Sequence, residues 1–182
     1  MFQIHLNEIP DDGREWQLTR QSGELNQILG DLIQDSSYLA EFMIRPLDAG
    51  TYELTGTIKT TLPEDCSRCG LDFKWPVNER FRELLIPEIP PERNSQYAKA
   101  NHISDHNNEG PSVAEYQGNT FQMGDYLHEI VALSIPAVPA PPVQKDGKCA
   151  TCLLDVRGKS FSYDEPMESR ENPFAILGRL KN

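Results

Sequence analysis

The stretch that decides the fold reads TYELTGTIKTTL over 51–62, PEDCSRCG over 63–70 and LDFKWPVNERFRELL over 71–85. In its first and last pieces apolar and polar residues alternate, the period of a strand with one face buried. With Cys66 and Cys69 at the tip of an antiparallel hairpin, paired positions sum to 135. Leu54 then faces Phe81, Ile58 faces Val77, Thr60 faces Trp75 and Leu62 faces Phe73, so apolar residues meet on one face. The other face carries Thr55 opposite Arg80, Glu53 opposite Arg82 and Thr61 opposite Lys74. Lys59 joins that face and Arg68 sits in the turn. These five cations, Lys59, Arg68, Lys74, Arg80 and Arg82, form a local basic stripe and are the candidate nucleic-acid contacts. A solvated sheet face partly balanced by Glu53 and Glu64 accounts for the same residues, and both readings stand. Phe73, Trp75 and Phe81 point the other way and read as core rather than as platforms for stacked bases.

Around this hairpin the chain divides readily. Phe2, Ile4 and Leu6 alternate like a strand. Leu25, Ile28, Leu29, Leu32 and Ile33 follow helical spacing, with Ser22 as a possible N-cap. Strand-like runs cover about 38–46, 51–62 and 71–85, with Asp48-Ala49-Gly50 as the turn between the first two. From Pro87 to Gly118 the apolar period disappears in a polar stretch, NSQYAKANHISDHNNEG at its centre, and a disordered loop is predicted at 87–118. Leu127, Ile130, Val131 and Leu133 predict a helix that starts near Gly124 or Asp125 and is stopped by Pro136. Asn172, Pro173, Phe174 and Leu177 predict a short terminal helix. Residues 1–182 are expected to form a single domain.

The four cysteines fall into two pairs, Cys66/Cys69 and Cys149/Cys152. Two residues between thiols let both sulfurs face one ion, and Gly70 supplies the positive φ that such a turn often needs. Two pairs give four soft ligands, enough for a closed tetrahedral zinc site. The second pair is less regular, because Leu153 rather than glycine follows it. With 79 residues between Cys69 and Cys149, tertiary structure must assemble the site. Three readings compete: a structural four-cysteine zinc site, reduced thiols without metal, and a thiol-redox pair. Redox chemistry is disfavoured because a strand, not a helix, follows the first pair. Structural zinc is the reading carried forward.

The chain of 182 residues has 17 basic and 28 acidic side chains, a net charge of −11, and 38% hydrophobic residues. That excludes a protein that coats nucleic acid by charge alone, but not one local basic face. The N-terminus lacks the basic and apolar regions of a signal peptide. The longest apolar-rich uncharged run, Ile130 to Val143, spans 14 residues and holds four prolines, too few and too broken for a bilayer. A soluble, cytoplasmic protein is expected, with no membrane partner. No GxSxG, phosphate-binding glycine loop or HExxH is present, and no carboxylate pair is marked out. His102 and His106 lie in the polar stretch, while His5 and His128 stand alone. We therefore expect neither an enzyme nor a small-molecule substrate.

DCSRCG (65–70), the aromatic strand after it, EIVALSIPAVP (129–139), the later cysteine pair and NPFAILGRLK (172–181) occur in the order seen in the DUF177 or YceD family, which this chain resembles from about Met1 to Lys181. Cys66-Ser67-Arg68-Cys69 matches that family's CxRC. The resemblance implies a noncatalytic bacterial factor needed for accumulation of 23S rRNA, with plastid relatives also tied to large-subunit RNA. It also implies genes that often neighbour that of a small zinc-ribbon protein of the large subunit. The expected partners are 23S rRNA or its precursor, or a large-subunit ribosomal protein. A protein-binding adaptor or chaperone for a basic ribosomal protein suits the charge equally, and a CxxC thiol-redox protein is the third possibility. The expected fold is α+β: a curved antiparallel sheet, barrel-like if it closes, with two or three helices, a CxxC knuckle and a long polar loop.

Overall fold

The structure is a computed structural model that describes residues 1–48, 50–88 and 112–158. The elements are β1 (Ile4–His5), β2 (Arg14–Thr19), α1 (Gly30–Ile33), β3 (Leu39–Asp48), β4 (Thr51–Asp65), β5 (Asp72–Pro87), β6 (Ser112–Tyr116), β7 (Thr120–Phe121) and α2 (Met123–Leu133). A five-stranded sheet runs in the order β2-β3-β4-β5-β6, and β1 pairs with β7 in a separate two-stranded sheet. The class is α+β, as the sequence predicts. The sheet is open rather than closed into a barrel. It is also mixed rather than antiparallel, because β6 runs parallel to β5, Glu83 beside Ser112 through Pro87 beside Tyr116.

The long hairpin forms where expected, but its register differs. Leu54 pairs with Glu83, Ile58 with Glu79, Thr60 with Val77 and Leu62 with Trp75, so positions sum to 137. The cause is the turn. Cys66 N–H donates to Leu71 O, and Gly70, at φ +69°, lies inside the loop instead of beginning the strand. The turn therefore takes two more residues than the shortest closure. A shift of two keeps every side chain on its face, whereas a shift of one would invert them all. Leu54, Ile58, Leu62, Val77 and Phe81 accordingly lie buried, and Lys59, Lys74, Arg80 and Arg82 lie exposed. Phe73, expected in the core, is half-buried near the hairpin tip, edge-on to Trp75.

On the buried face one row depends on a missing side chain. Phe42, Gly56 and Phe81 are neighbours across three strands. A Cβ on Gly56 would stand 2.5 Å from Phe42 Cβ and 2.6 Å from Phe81 Cζ. The Phe81 ring crosses the space this leaves and meets Tyr126 of α2 edge-on, with ring centres 5.5 Å apart. Leu127 and Val131 of α2 are fully buried, as are Leu25, Leu29 and Ile33. Those last three come from a run of turns ending in the single-turn α1, not from the amphipathic helix the spacing predicts. Gly23 takes φ +90°, and Ser22 bonds to Thr19 at the end of β2 rather than capping a helix. Leu25, Leu29 and Ile33, at a spacing of four, still stack inward, because Leu29 N–H bonds Leu25 O and Ile33 N–H bonds Leu29 O.

β2 is a strand the sequence reading did not mark, and β6 lies within the 87–118 stretch predicted as a disordered loop. Residues 89–111 of that stretch and the predicted helix from Asn172 fall outside the described residues. Among the described residues, no helix is long and apolar enough to cross a membrane.

Candidate metal centre

The two cysteine turns share a pair of backbone hydrogen bonds, and the first adds a third from Cys69 N–H to Cys66 O at 3.1 Å. Cys66 N–H donates to Leu71 O at 2.9 Å and Gly70 N–H to Cys66 O at 2.7 Å; Cys149 N–H donates to Leu154 O at 2.9 Å and Leu153 N–H to Cys149 O at 3.0 Å. The residue after each second cysteine is left-handed, Gly70 at φ +69° and Leu153 at φ +59°. A leucine there is uncommon, because its Cβ crowds the following carbonyl. The first turn is the tip of the β4–β5 hairpin. Among the described residues, the second is held by two isolated bridges, Val143 to Cys149 and Lys148 to Asp155.

The fold brings the two turns together. The Sγ atoms of Cys66, Cys69 and Cys149 lie within 4.8 Å of one another. Cys152 is outside that trio, yet it is near enough to influence the titration of both Cys69 and Cys149. All four cysteines are free thiols, Cys66 and Cys149 buried and the other two partly so. A tetrahedral site with metal–sulfur bonds of about 2.3 Å has sulfurs about 3.8 Å apart. The trio could close to that spacing around an ion, and an all-thiol set selects a soft one.

Backbone amides complete the electrostatics. The Leu71 amide donates to Cys69 and favours its thiolate, but burial and the facing thiols of Cys152 and Cys66 outweigh it and push Cys69 up to about 12. At Cys149, the amides of Cys152 and Thr151 overcome burial and hold the thiol down to about 7. The same asymmetry would suit a cation, since Cys149 would reach its thiolate form more easily than Cys69, whose proton an arriving ion would have to displace.

The chain between α2 and the second turn also binds the first. Ser67 N–H donates to Pro139 O at 2.9 Å, and the Arg68 guanidinium donates to Pro141 O. Arg68, read from sequence as a nucleic-acid contact, is thus half-buried and engaged with the backbone. Nothing in the sequence pattern of the prolines announced this docking. Of the other basic candidates, Arg82 is paired with Glu53 at 2.8 Å, and Glu53 also binds Arg45 at 2.6 Å. Those two guanidiniums hold the Glu53 carboxyl below its usual range. Lys59, Lys74 and Arg80 are exposed and have no ion pair among the described residues.

Residues 54–181 match the family of large ribosomal RNA subunit accumulation proteins, YceD. The chain belongs to the YceD family. The match takes in both cysteine pairs and the β4–β5 hairpin. It begins at Leu54, within β4, so β1, α1 and the two sheet strands β2 and β3 precede it. No curated protein and no solved structure matches the chain. The family's description ties it to accumulation of the large-subunit RNA and names no reaction.

Proposed function

We propose that this chain is a noncatalytic, cytoplasmic factor for accumulation of 23S rRNA and for large ribosomal subunit biogenesis, with structural zinc bound by Cys66, Cys69, Cys149 and Cys152. The observation that carries the functional half is the family match over 54–181. The metal half is supported by three converging thiols, a fourth electrostatically coupled to two of them, and backbone amides that favour the thiolates. With four protein ligands no position is left for water or substrate, so the ion would tie the hairpin tip to the second turn and do no chemistry.

Direct RNA contact in this reading falls to Lys59, Lys74 and Arg80, on the solvent side of β4 and β5. Arg82 is shared with Glu53 and Arg68 with Pro141. The test is a deletion strain complemented with wild-type or K74E/R80E protein. Deletion is expected to lower mature 23S rRNA relative to small-subunit RNA. The double mutant, correctly folded because both residues face solvent, is expected to lose crosslinking to RNA, and each phosphate contact removed should lower the salt slope by about 1. Normal 23S levels in the deletion strain would refute the function. Full rescue by the double mutant would refute the RNA contact alone.

A further inference from the structure

Opposite the basic face, on the side of β5 that carries α2, lies a groove of about 810 Å³ with an apolar floor and carboxylates along it. Phe81 and Tyr126 form the floor, and the outer turn of α2 supplies Ile130 and Leu133, the latter 76% exposed. Glu79, Glu83 and Glu129 line it, and among the described residues none of them has a cationic partner. Among the described residues, the Glu83 carboxylate accepts the Tyr126 hydroxyl alone, at 3.0 Å. Arg80 and Arg82 border the groove from β5, but they alternate with Phe81 and so project from the other face, Arg82 toward Glu53.

The same groove exposes a sheet edge. β6 covers β5 only from Glu83 to Pro87, while β4 pairs along the whole opposite side from Asp72 to Leu85. Among the described residues, the β5 backbone from Glu79 to Arg82 therefore has no strand on its outer side. Unpaired N–H and C=O groups in a row are a template for another strand, and α2 beside them supplies pockets for its side chains.

From this geometry we infer that the groove docks an extended, cationic segment of a partner protein, added as a strand to the open edge of β5 beneath α2. Alternate side chains of such a segment turn toward α2. There, apolar ones meet Phe81, Ile130 and Leu133, and lysines or arginines meet the three glutamates. Charge decides the class of occupant. The chain's own residues leading into β6, DHNNEGP over 105–111, carry two acids, no lysine or arginine, and a proline that cannot donate to the ladder. RNA is repelled by the same carboxylates. The inference goes beyond the proposed function and is independent of the basic face, which lies on the opposite side of the sheet.

The test uses the full chain and a dye-labelled peptide about ten residues long, with lysine and valine alternating on one face and threonine on the other. Fluorescence anisotropy is expected to show binding that E79K/E129K weakens by at least about tenfold. The control D11K/D12K, an equal charge reversal on an exposed turn far along the chain, is expected to change it by less than about threefold. Hydrogen exchange is expected to slow at the outward amides of 79–82 when the peptide binds. Equal losses in both double mutants, or binding without that protection, would overturn the inference as mere attraction to an acidic protein. Protection already present in the free chain, with crosslinks from a photo-crosslinker at position 133 to residues 159–182, would overturn it in favour of the chain's own tail.

Discussion

Cys66–Leu71 and Cys149–Leu154 make the same pair of backbone bonds and the same left-handed step, yet they are supported in different ways. The first turn closes a hairpin of 15- and 16-residue strands whose inner face is core. The second belongs to no helix or strand and, among the described residues, is held by two bridges and by the approach of its sulfurs to the first turn. At the left-handed position the first has glycine and the second leucine. Identical geometry is therefore intrinsic to one turn and imposed on the other. A metal ion is a means of imposing it, since binding free energy at such sites is also folding free energy.

The strongest way to break this comparison is to remove a ligand from each side. Cys66→Ser and Cys149→Ser are both expected to reduce zinc from about one per chain to almost none, read by metal analysis. In both, tryptic cleavage at Lys145, Lys148 and Arg157 should accelerate by about tenfold or more, while the hairpin stays resistant. Cleavage of the hairpin at the same rate would show that both turns depend on metal alike.

A second variant probes the hairpin without touching the site. Gly56→Ala drives a methyl into Phe42 and Phe81 and should cost about 1–3 kcal/mol in urea denaturation. Zinc affinity in the folded state should change by less than about twofold. A large loss of affinity would mean that the sheet's stability and the site are not separable.

Exchanging the left-handed residues sharpens the comparison further. Gly70→Leu should cost about 1–2 kcal/mol, seen in global unfolding because that turn belongs to the core hairpin. Leu153→Gly relieves the strained step but adds freedom to the unfolded chain, so the net gain is about 1 kcal/mol or less. It should appear as tighter metal binding rather than as a shift of the main unfolding transition.

The smallest effect is in proton linkage, measured on metal-free protein by ultraviolet thiolate absorbance and by stability against pH. Cys149 is lowered from 9.0 to about 7, so its contribution is full above pH 9 and lost as pH falls through 7. Cys69 is raised from 9.0 to about 12, so its contribution is full below pH 9 and lost as pH rises through 12. Between pH 7 and 9 stability should therefore rise with pH. A fall across that window would place the ready thiolate elsewhere.

The faces of the hairpin were legible because strand alternation is insensitive to a shift of two residues. The register was not, because it depends on how many residues the cysteine turn consumes. α2 was legible from Leu127 and Val131, although Leu133, counted with them, projects outward. The apolar residues from Leu25 to Ile33 have the spacing of a helix and the destination of core residues, but only Gly30–Ile33 is helical, and the segment enters through Gly23 at φ +90° and a run of turns. The short strands β2 and β6 escaped notice for different reasons. β2 has only Trp16 and Leu18 to show its alternation, and β6 lies among polar residues and is held by pairing with β5. The cysteine pairs were fully visible, but their meeting across 79 residues was a tertiary fact. So was the diversion of Arg68 to Pro141 and Arg82 to Glu53, which narrowed the basic stripe.

That separation of the cysteines also sets a clock. At a synthesis rate of about 5–20 residues per second, Cys149 follows Cys69 out of the ribosome by about 4–16 seconds. The hairpin can form well within that interval, since hairpins close in about 1–10 microseconds and wait only for Leu85 and its neighbours. For those seconds the nascent chain displays one two-thiol turn, already shaped and half-ligated. Such a turn can hold an ion loosely, or lose it to a competitor, until the second pair arrives. Metal supply during translation, more than the affinity of the finished site, would then decide what fraction of chains leave synthesis with both turns joined.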